Sequence, residues 1–456
     1  MVNVNVNDKW TLFPHQATAT EWLGKRMRGC LWDEQGLGKT ASAIVAARQI
    51  AAKRVLVVAP TVVAHNWARE IGRWAPGAEV DVVLQGKVRL RPGVDFTVVT
   101  MGMLLRPSMF EQLCQRKWDL AILDEGHCYK NPRARRSKAV YGLSPQLNKP
   151  AIVRSAARCW AMTGTPMPNH PAELWTSLAG LDPRRLCDEG SRRPMNWHQF
   201  RQRFCELKPS AYGDGWKEVG SKNVVELKQR LQGFALRRRK KDHLDLPPMR
   251  WGTVALTVEG EDAKLLGIEA RHGYAHKLLA ADDVTAFLSR MRDDEEFSTW
   301  RRLCGELKAK AAVELLVDEL TETPGKKLVV FAHHKSVIAA LAAGLEAFGV
   351  VTITGAQSAS ARQSAVDQFQ TDPATRVCVA NIVAGGVGIT LTAASDAVMV
   401  EQSFVPGDNE QAGARLHRIG QTESVLIRVL TLAGSVDELL GEIVARKANT
   451  ISQVLS

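Results

Sequence analysis

The chain has 456 residues, enough at about 150 residues per domain for roughly three compact units or two large ones. Hydrophobic residues make up 45% and charged ones 24%, a folded composition that excludes a disordered, collagen-like or fibrous chain. Lys and Arg number 60 against 48 Asp and Glu, a formal charge of +12, which favours polyanionic partners such as nucleic acid, although charge spread over many surface helices gives the same sum.

The opening segment MVNVNVNDKW has no basic region followed by a cleavable apolar stretch. No segment reaches the ~18 apolar residues of a membrane span. Eight cysteines (Cys30, Cys114, Cys128, Cys159, Cys187, Cys205, Cys304, Cys378) are scattered with no C-x-x-C pair and no His cluster at ligand spacing, so neither a zinc module nor a disulfide framework is expected. Together these features predict an intracellular, reduced protein, not secreted and without membrane or zinc, in the cytoplasm or nucleoid if its source is bacterial or viral.

Short apolar runs recur from Val55 to Ala59, Phe96 to Thr100, Leu120 to Leu123 and Trp160 to Thr163, with helix-like stretches between them. This rhythm predicts a parallel sheet wrapped in helices. A second series, Leu328 to Ala332, Val350 to Thr354, Val377 to Asn381, Ala397 to Val400 and Leu426 to Leu430, predicts a second α/β lobe. Between them, from about Pro171 to Pro324, charge and helix-length patterns dominate, as in Ser221 to Arg239 and Arg301 to Leu320. The expected organisation is a first lobe over 1–170, a helical insertion and connector over 171–255, a helical part over 256–324 leading into a second lobe, and that lobe over 325–456. The tract Arg237 to Lys241 sits at the join and reads either as a solvated basic helix end or as a phosphate contact.

Three groups of residues carry chemistry. Asp33-Glu34-Gln35-Gly36-Leu37-Gly38-Lys39-Thr40 precedes an Ala-rich helical stretch beginning near Ala41. Gly36 and Gly38 permit a tight turn whose N–H groups point at phosphate oxygens, and the helix N-terminus adds partial positive charge. Lys39 would neutralise β- and γ-phosphates and the Thr40 hydroxyl would ligate Mg²⁺. Asp33 stands where the G-x-x-x-x-G-K-[ST] pattern has its first Gly, and a plain Gly-rich turn before a helix remains the alternative.

Strand-like Leu120 to Leu123 runs into Asp124-Glu125-Gly126-His127, placing adjacent carboxylates at a strand's carboxyl end, where open α/β sheets bind ligands. Neighbours on a strand point opposite ways, so they can do different jobs. Asp124 would hold the Mg²⁺ shell and Glu125 would deprotonate the attacking water. Alone, such a pair is most often a solvated turn; after a phosphate loop in the same lobe it becomes a nucleotide-hydrolysis pair. In the second lobe, Gln411, Arg415 and Arg418 fall on one face if 411–421 is helical. Planar guanidinium groups suit phosphate, and arginines delivered by a closing lobe would couple hydrolysis to motion. The competing reading is an ordinary charged helix face.

Taken in order, these segments resemble the Snf2-type ATPases of helicase superfamily 2, most of all their annealing-helicase branch, over nearly the whole chain. Leu12-Phe13-Pro14-His15-Gln16 resembles the adenine-reading segment, with Gln16 on the base. The loop at 33–40 resembles that family's phosphate loop, which accounts for the missing Gly. Val57 to Thr61 with Asn66-Trp67 resembles a segment that touches a DNA strand. Asp124 to His127 with Lys130-Asn131 is similar to the metal and base motif, and Met162 to Pro166 with Asn169 to the motif linking hydrolysis to DNA grip. Leu236-Arg237-Arg238 and Leu246-Pro247 look like the bridge between lobes. Gly385, Gly386, Gly388 and Thr390 fit the next DNA and nucleotide motif, and His417 to Gln421 the last. Two departures are Phe404-Val405-Pro406, where an aromatic-Asn-Pro is usual, and Ala414, at a position often acidic.

The resemblance implies two RecA-like lobes, ATP and Mg²⁺ as ligands, and double-stranded or forked DNA as partner. Nucleotide contacts are implied at Gln16, Gly36, Gly38, Lys39, Thr40 and Gly388, and nucleic-acid contacts at Thr61, Thr100, Thr163, Lys335, Gly386 and Thr390. The activity expected is a DNA-stimulated ATPase that translocates on or remodels duplex or branched DNA. A strand-separating helicase of the same superfamily and an ATP-gated DNA-binding scaffold without motor activity are the alternatives.

Overall fold

The structure, a computed structural model, describes residues 5–7, 10–84, 89–143, 149–167, 169–209, 216–244, 246–257, 273, 295–385, 389–403, 406–433, 435 and 437–438. The chain divides into two compact units, Met1–Leu244 and Asp245–Ser456. Each is built on one parallel sheet. In the first, the strand order is Ala235–Leu236, Arg28–Leu31, Ala156–Met162, Trp118–Leu123, Val55–Ala59, Phe96–Thr100, Val80–Val83. In the second it is Met249–Leu256, Val425–Leu432, Asp396–Met399, Leu328–Ala332, Val377–Asn381, Val350–Ile353.

The apolar runs read from the sequence are strands of these two sheets, and burial explains the composition of the inner ones. Val55–Ala59 and Phe96–Thr100 are buried at every position, in register at Val55 with Phe96 and Val57 with Val98. A strand covered on both faces by helices has no solvent side, so it needs no polar alternation. The helix expected near Ala41 spans Lys39–Gln49, and Arg301 to Leu320 lies within a longer helix, Glu295–Glu322.

Strands without that composition escape the pattern. Arg28–Leu31 contains Arg and Gly, yet it is an inner strand of the sheet. Its Gly29 lies beneath Trp22, where a Cβ would stand 3.0 Å from the indole. Arg28 caps the carbonyls of Ala157, Val153 and Ala156 at 2.7, 2.9 and 2.9 Å. The helical pattern over Ser221 to Arg239 is a helix only at Val224–Leu231. Gly233, at φ 73°, turns the chain back, and Ala235–Leu236 then joins the edge of the first sheet in parallel with Cys30 and Leu31. The stretch 171–255 also contains an antiparallel hairpin, Cys205–Pro209 with Trp216–Ser221. Among the described residues no helix is long and apolar enough to cross a membrane, no group of three or more His, Cys, Asp or Glu could hold a metal ion, and the eight cysteines are free thiols.

In the second unit, Glu401 is buried beyond the strand Asp396–Met399 and accepts the N–H groups of His333 and His334 at 2.7 and 2.9 Å and His334 Nδ1 at 2.5 Å. Burial alone would raise its pKa, but these bonds and the imidazole hold it down, at about 2. A carboxylate whose folded pKa lies below its unfolded value stabilises above the unfolded value, and that contribution drains as pH falls toward the folded one. Denaturant titrations of wild type should therefore lose roughly 3 kcal/mol through this group between about pH 4.5 and pH 2. Glu401→Gln should be weaker at pH 7 and show a shallower acid slope. Identical slopes in the two proteins would remove Glu401 as the cause.

Candidate active site

Every strand of the first sheet is parallel, so the loops that follow its strands gather at one edge. Residues 33–40 follow Arg28–Leu31, Asp124 and Glu125 follow Trp118–Leu123, and Thr163 follows Ala156–Met162. Gly36 and Gly38 are left-handed, at φ 91° and 79°, and the helix begins at Lys39. A Cβ on Gly38 would stand 2.0 Å from Gln16 Nε2, so both backbone angle and space restrict that position to glycine. Lys39 Nζ folds back over the loop and donates to the carbonyls of Asp33 at 2.7 Å and Glu34 at 3.3 Å.

Gln16 is buried and latches the loop. Its Nε2 donates to Leu37 O at 3.2 Å, and its Oε1 accepts Phe13 N–H at 3.1 Å. His15 Nε2 lies 3.1 Å from the same carbonyl. Asp33, the residue in place of the expected Gly, is buried and forms a two-pronged ion pair with Arg238. Sequence reading missed this partnership; its one signal was an acidic residue where the loop pattern calls for none.

Asp124 is enclosed. Trp67 Nε1 donates to its Oδ2 at 2.7 Å, and its Oδ1 accepts the N–H of Glu125 at 3.0 Å. Burial and the neighbouring Glu125 carboxylate raise its pKa to about 6, against the pull of Trp67 and the Lys39 ammonium. Lys39 and Asp124 are therefore within electrostatic reach of one another. Trp67, read with the segment that touches DNA, is 1% exposed and serves Asp124 instead. Trp67 shares the buried face of the helix Ala64–Trp74 with Ala64, Ile71 and Trp74, three or four residues apart, so its indole packs inward and its N–H needs a partner there.

Glu125 adopts φ 48°, a left-handed conformation that a non-glycine residue holds only where its surroundings enforce it. The Thr163 hydroxyl donates to its Oε2 at 3.3 Å. His127 Nδ1 lies 3.1 Å from that oxygen and 2.9 Å from Thr163 Oγ1. Burial works against a charged imidazole, but Cys128 and the Glu125 carboxylate outweigh it and raise the His127 pKa. Behind this cluster, Lys130 pairs with buried Glu173 at 2.7 Å, and Glu173 also accepts Asn169 N and Nδ2 at 2.9 and 2.7 Å. Glu173, unnoticed in the sequence, joins the two motifs that contain Lys130 and Asn169.

The residues expected at nucleic acid divide. Thr61 is exposed, in a 3-10 turn after Val55–Ala59. Thr100 is buried, and its Oγ1 caps the helix Met101–Leu104 by accepting Met103 N–H at 3.4 Å. Thr163 is buried on Glu125. In the second unit, Lys335 is exposed at the start of the helix Lys335–Gly344, and Thr390 is half-buried. Gly386 and Gly388, and with them Phe404 and Val405, lie outside the described residues.

The helix expected to align Gln411, Arg415 and Arg418 spans only Pro406–Gly413. Gln411 is on it and buried; Arg415, also buried, and Arg418 are in the turns that follow. The helix stops because the loop is bonded crosswise to its neighbours. Leu391 N donates to Arg415 O at 2.9 Å, and Gln421 Nε2 donates to the carbonyls of Ala394 at 2.9 Å and Thr392 and Leu416 at 3.3 Å. Arg418 Nη1 donates to Ile389 O at 2.8 Å and Thr390 Oγ1 at 3.2 Å, so the fold brings Arg418 and Thr390 together.

The SNF2-related domain family matches residues 15–289, and the helicase conserved C-terminal domain matches 309–420. The chain is 30% identical over 451 residues to "SWI/SNF-related matrix-associated actin-dependent regulator of chromatin subfamily A-like protein 1" of Xenopus laevis, covering 97% of this chain and 44% of that one. It is 30% identical over 465 residues to the human "DNA annealing helicase and endonuclease ZRANB3", covering 98% and 40%. The chain thus spans less than half the length of these relatives. Among solved structures, the "Sulfolobus solfataricus SWI2/SNF2 ATPase core in complex with dsDNA" is 23% identical with a TM-score of 0.44, covering 98% of this chain and 93% of that one.

Proposed function

Since the chain belongs to the SNF2-related domain family, we propose that it is a DNA-stimulated ATPase, converting ATP and water to ADP and phosphate in order to move along or remodel duplex or forked DNA. One observation carries the reading: Lys39, at the first turn of a helix behind two left-handed glycines, and the Asp124–Glu125 pair follow parallel strands of one sheet at the same edge. Backbone N–H groups of the loop and the helix terminus would hold the phosphates. Lys39 would leave the carbonyls of Asp33 and Glu34 for the β- and γ-phosphate oxygens. Glu125, its carboxylate aimed by Thr163 and His127, would take the proton of the attacking water. Arg415 and Arg418 would stabilise charge on the transferring phosphoryl group.

Mg²⁺ suits the donors present. Thr40 and Asp124 supply one hydroxyl and one carboxylate, the sparse oxygen set of an ion that keeps water and phosphate as its other ligands. The half-buried Asp124 carboxylate, raised to about 6 by desolvation and by Glu125, is a site where a cation would offset the cost of ionisation. When bound, the ion would neutralise charge on the phosphate oxygens.

Nucleic-acid contacts are proposed at Thr61, Lys335, Thr390 and Gly386, to the backbone rather than to base edges, because a moving protein must release each site it visits. ATP consumption should rise on adding duplex or forked DNA and respond less to RNA. An equal response to RNA would refute the DNA assignment. A labelled fork scored for displacement against reannealing separates this reading from a strand-separating helicase, and DNA-dependent turnover dismisses a passive scaffold.

A further inference from the structure

The basic tract at 237–241 has a use that its charge alone does not reveal. Asp33 and Glu34 hold the Lys39 ammonium through their carbonyl oxygens. The same two residues hold the tract through their other groups. The Asp33 carboxylate takes Arg238 in a fork, with Nε on Oδ1 at 3.0 Å and Nη2 on Oδ2. The Glu34 carboxylate accepts Lys240 N–H at 2.8 Å, and Glu34 N–H donates to Arg238 O at 3.0 Å. A further Arg238 nitrogen donates to His15 O, next to the Gln16 that latches Leu37. The ion pair is nearly enclosed, its side chains 9% and 2% exposed. At such a site neither charge can be removed without leaving the other unpaired.

We infer that Arg238 is a positioning residue for Lys39, setting through Asp33 where the ammonium rests and so how readily it reaches a triphosphate. This rests on the nucleotide reading above and deepens it. The chain enters the second unit just beyond, at Asp245. A segment bonded to the carbonyl-bearing residues that Lys39 must leave is biased by nucleotide binding and biases it in return.

The test is a double-mutant cycle on the full chain, with binding of N-methylanthraniloyl-ATP as readout and thermal melting as the check on folding. Arg238→Gln should weaken binding roughly tenfold where Lys39 is present, within the range for residues sharing one hydrogen-bond network, and less than about twofold in a Lys39→Ala background. Arg238→Lys, which keeps the charge but loses the planar fork, should give a smaller loss with the same dependence on Lys39, and serves if the Gln variant does not fold. Equal losses in both backgrounds, or none in either, would overturn the inference. Unchanged affinity on Lys39→Ala alone would overturn the nucleotide reading itself, and this inference with it.

Discussion

Glu125→Gln should still bind ATP and yet turn it over about 10² to 10⁴ times more slowly, the range that a positioned general base contributes. The substitution keeps the size of the side chain and its backbone, held at φ 48°, and removes the oxygen that accepts a proton. Binding should survive because the residues proposed to hold the phosphates, Lys39 and the glycine turn, belong to a different loop. The Thr163 hydroxyl can still donate to an amide oxygen in that place. Nucleotide binding by fluorescence, with phosphate release measured in parallel, reads the two effects apart. Undiminished hydrolysis would remove Glu125 as the base. Loss of binding along with turnover would mean that the residue holds the loop rather than the water.

Arg418→Ala should reduce kcat by about 10³ to 10⁵ with little change in ATP affinity, if its guanidinium meets charge that develops only in the transition state. The structure offers a rival account. Arg418 ties its turn to Ile389 and Thr390, and removing a purely local tie would cost stability instead. Pairing kcat with the melting temperature of the same preparation decides between them. A large kcat loss at unchanged melting supports transition-state contact, and wild-type rates at a lowered melting temperature would reduce Arg418 to a loop anchor.

Much of the architecture was visible along the chain because its cause is local. Strands such as Val55–Ala59, covered on both faces, must be apolar throughout, and that is a property of five consecutive letters. Arg28–Leu31 carries no such mark, since its place between Ala156–Met162 and Ala235–Leu236 comes from neighbours more than a hundred residues away. The alignment of Gln411, Arg415 and Arg418 was inferred from helical spacing alone. Nothing in that spacing announces that the helix ends at Gly413, where cross-bonds from Leu391 and Gln421 take over the backbone.

Composition, apolar rhythm and the ordered motifs were sufficient for two α/β lobes, a glycine turn leading into a helix at Lys39, and an Asp-Glu pair closing a buried strand. Short-range periodicity and residue chemistry encode these directly. Pairings across the fold had to come from packing. Asp33 with Arg238, Trp67 with Asp124 and Glu173 with Lys130 are each joined over tens to hundreds of residues. A buried polar group takes whichever partner folding delivers, and chain-order spacing carries no record of that choice.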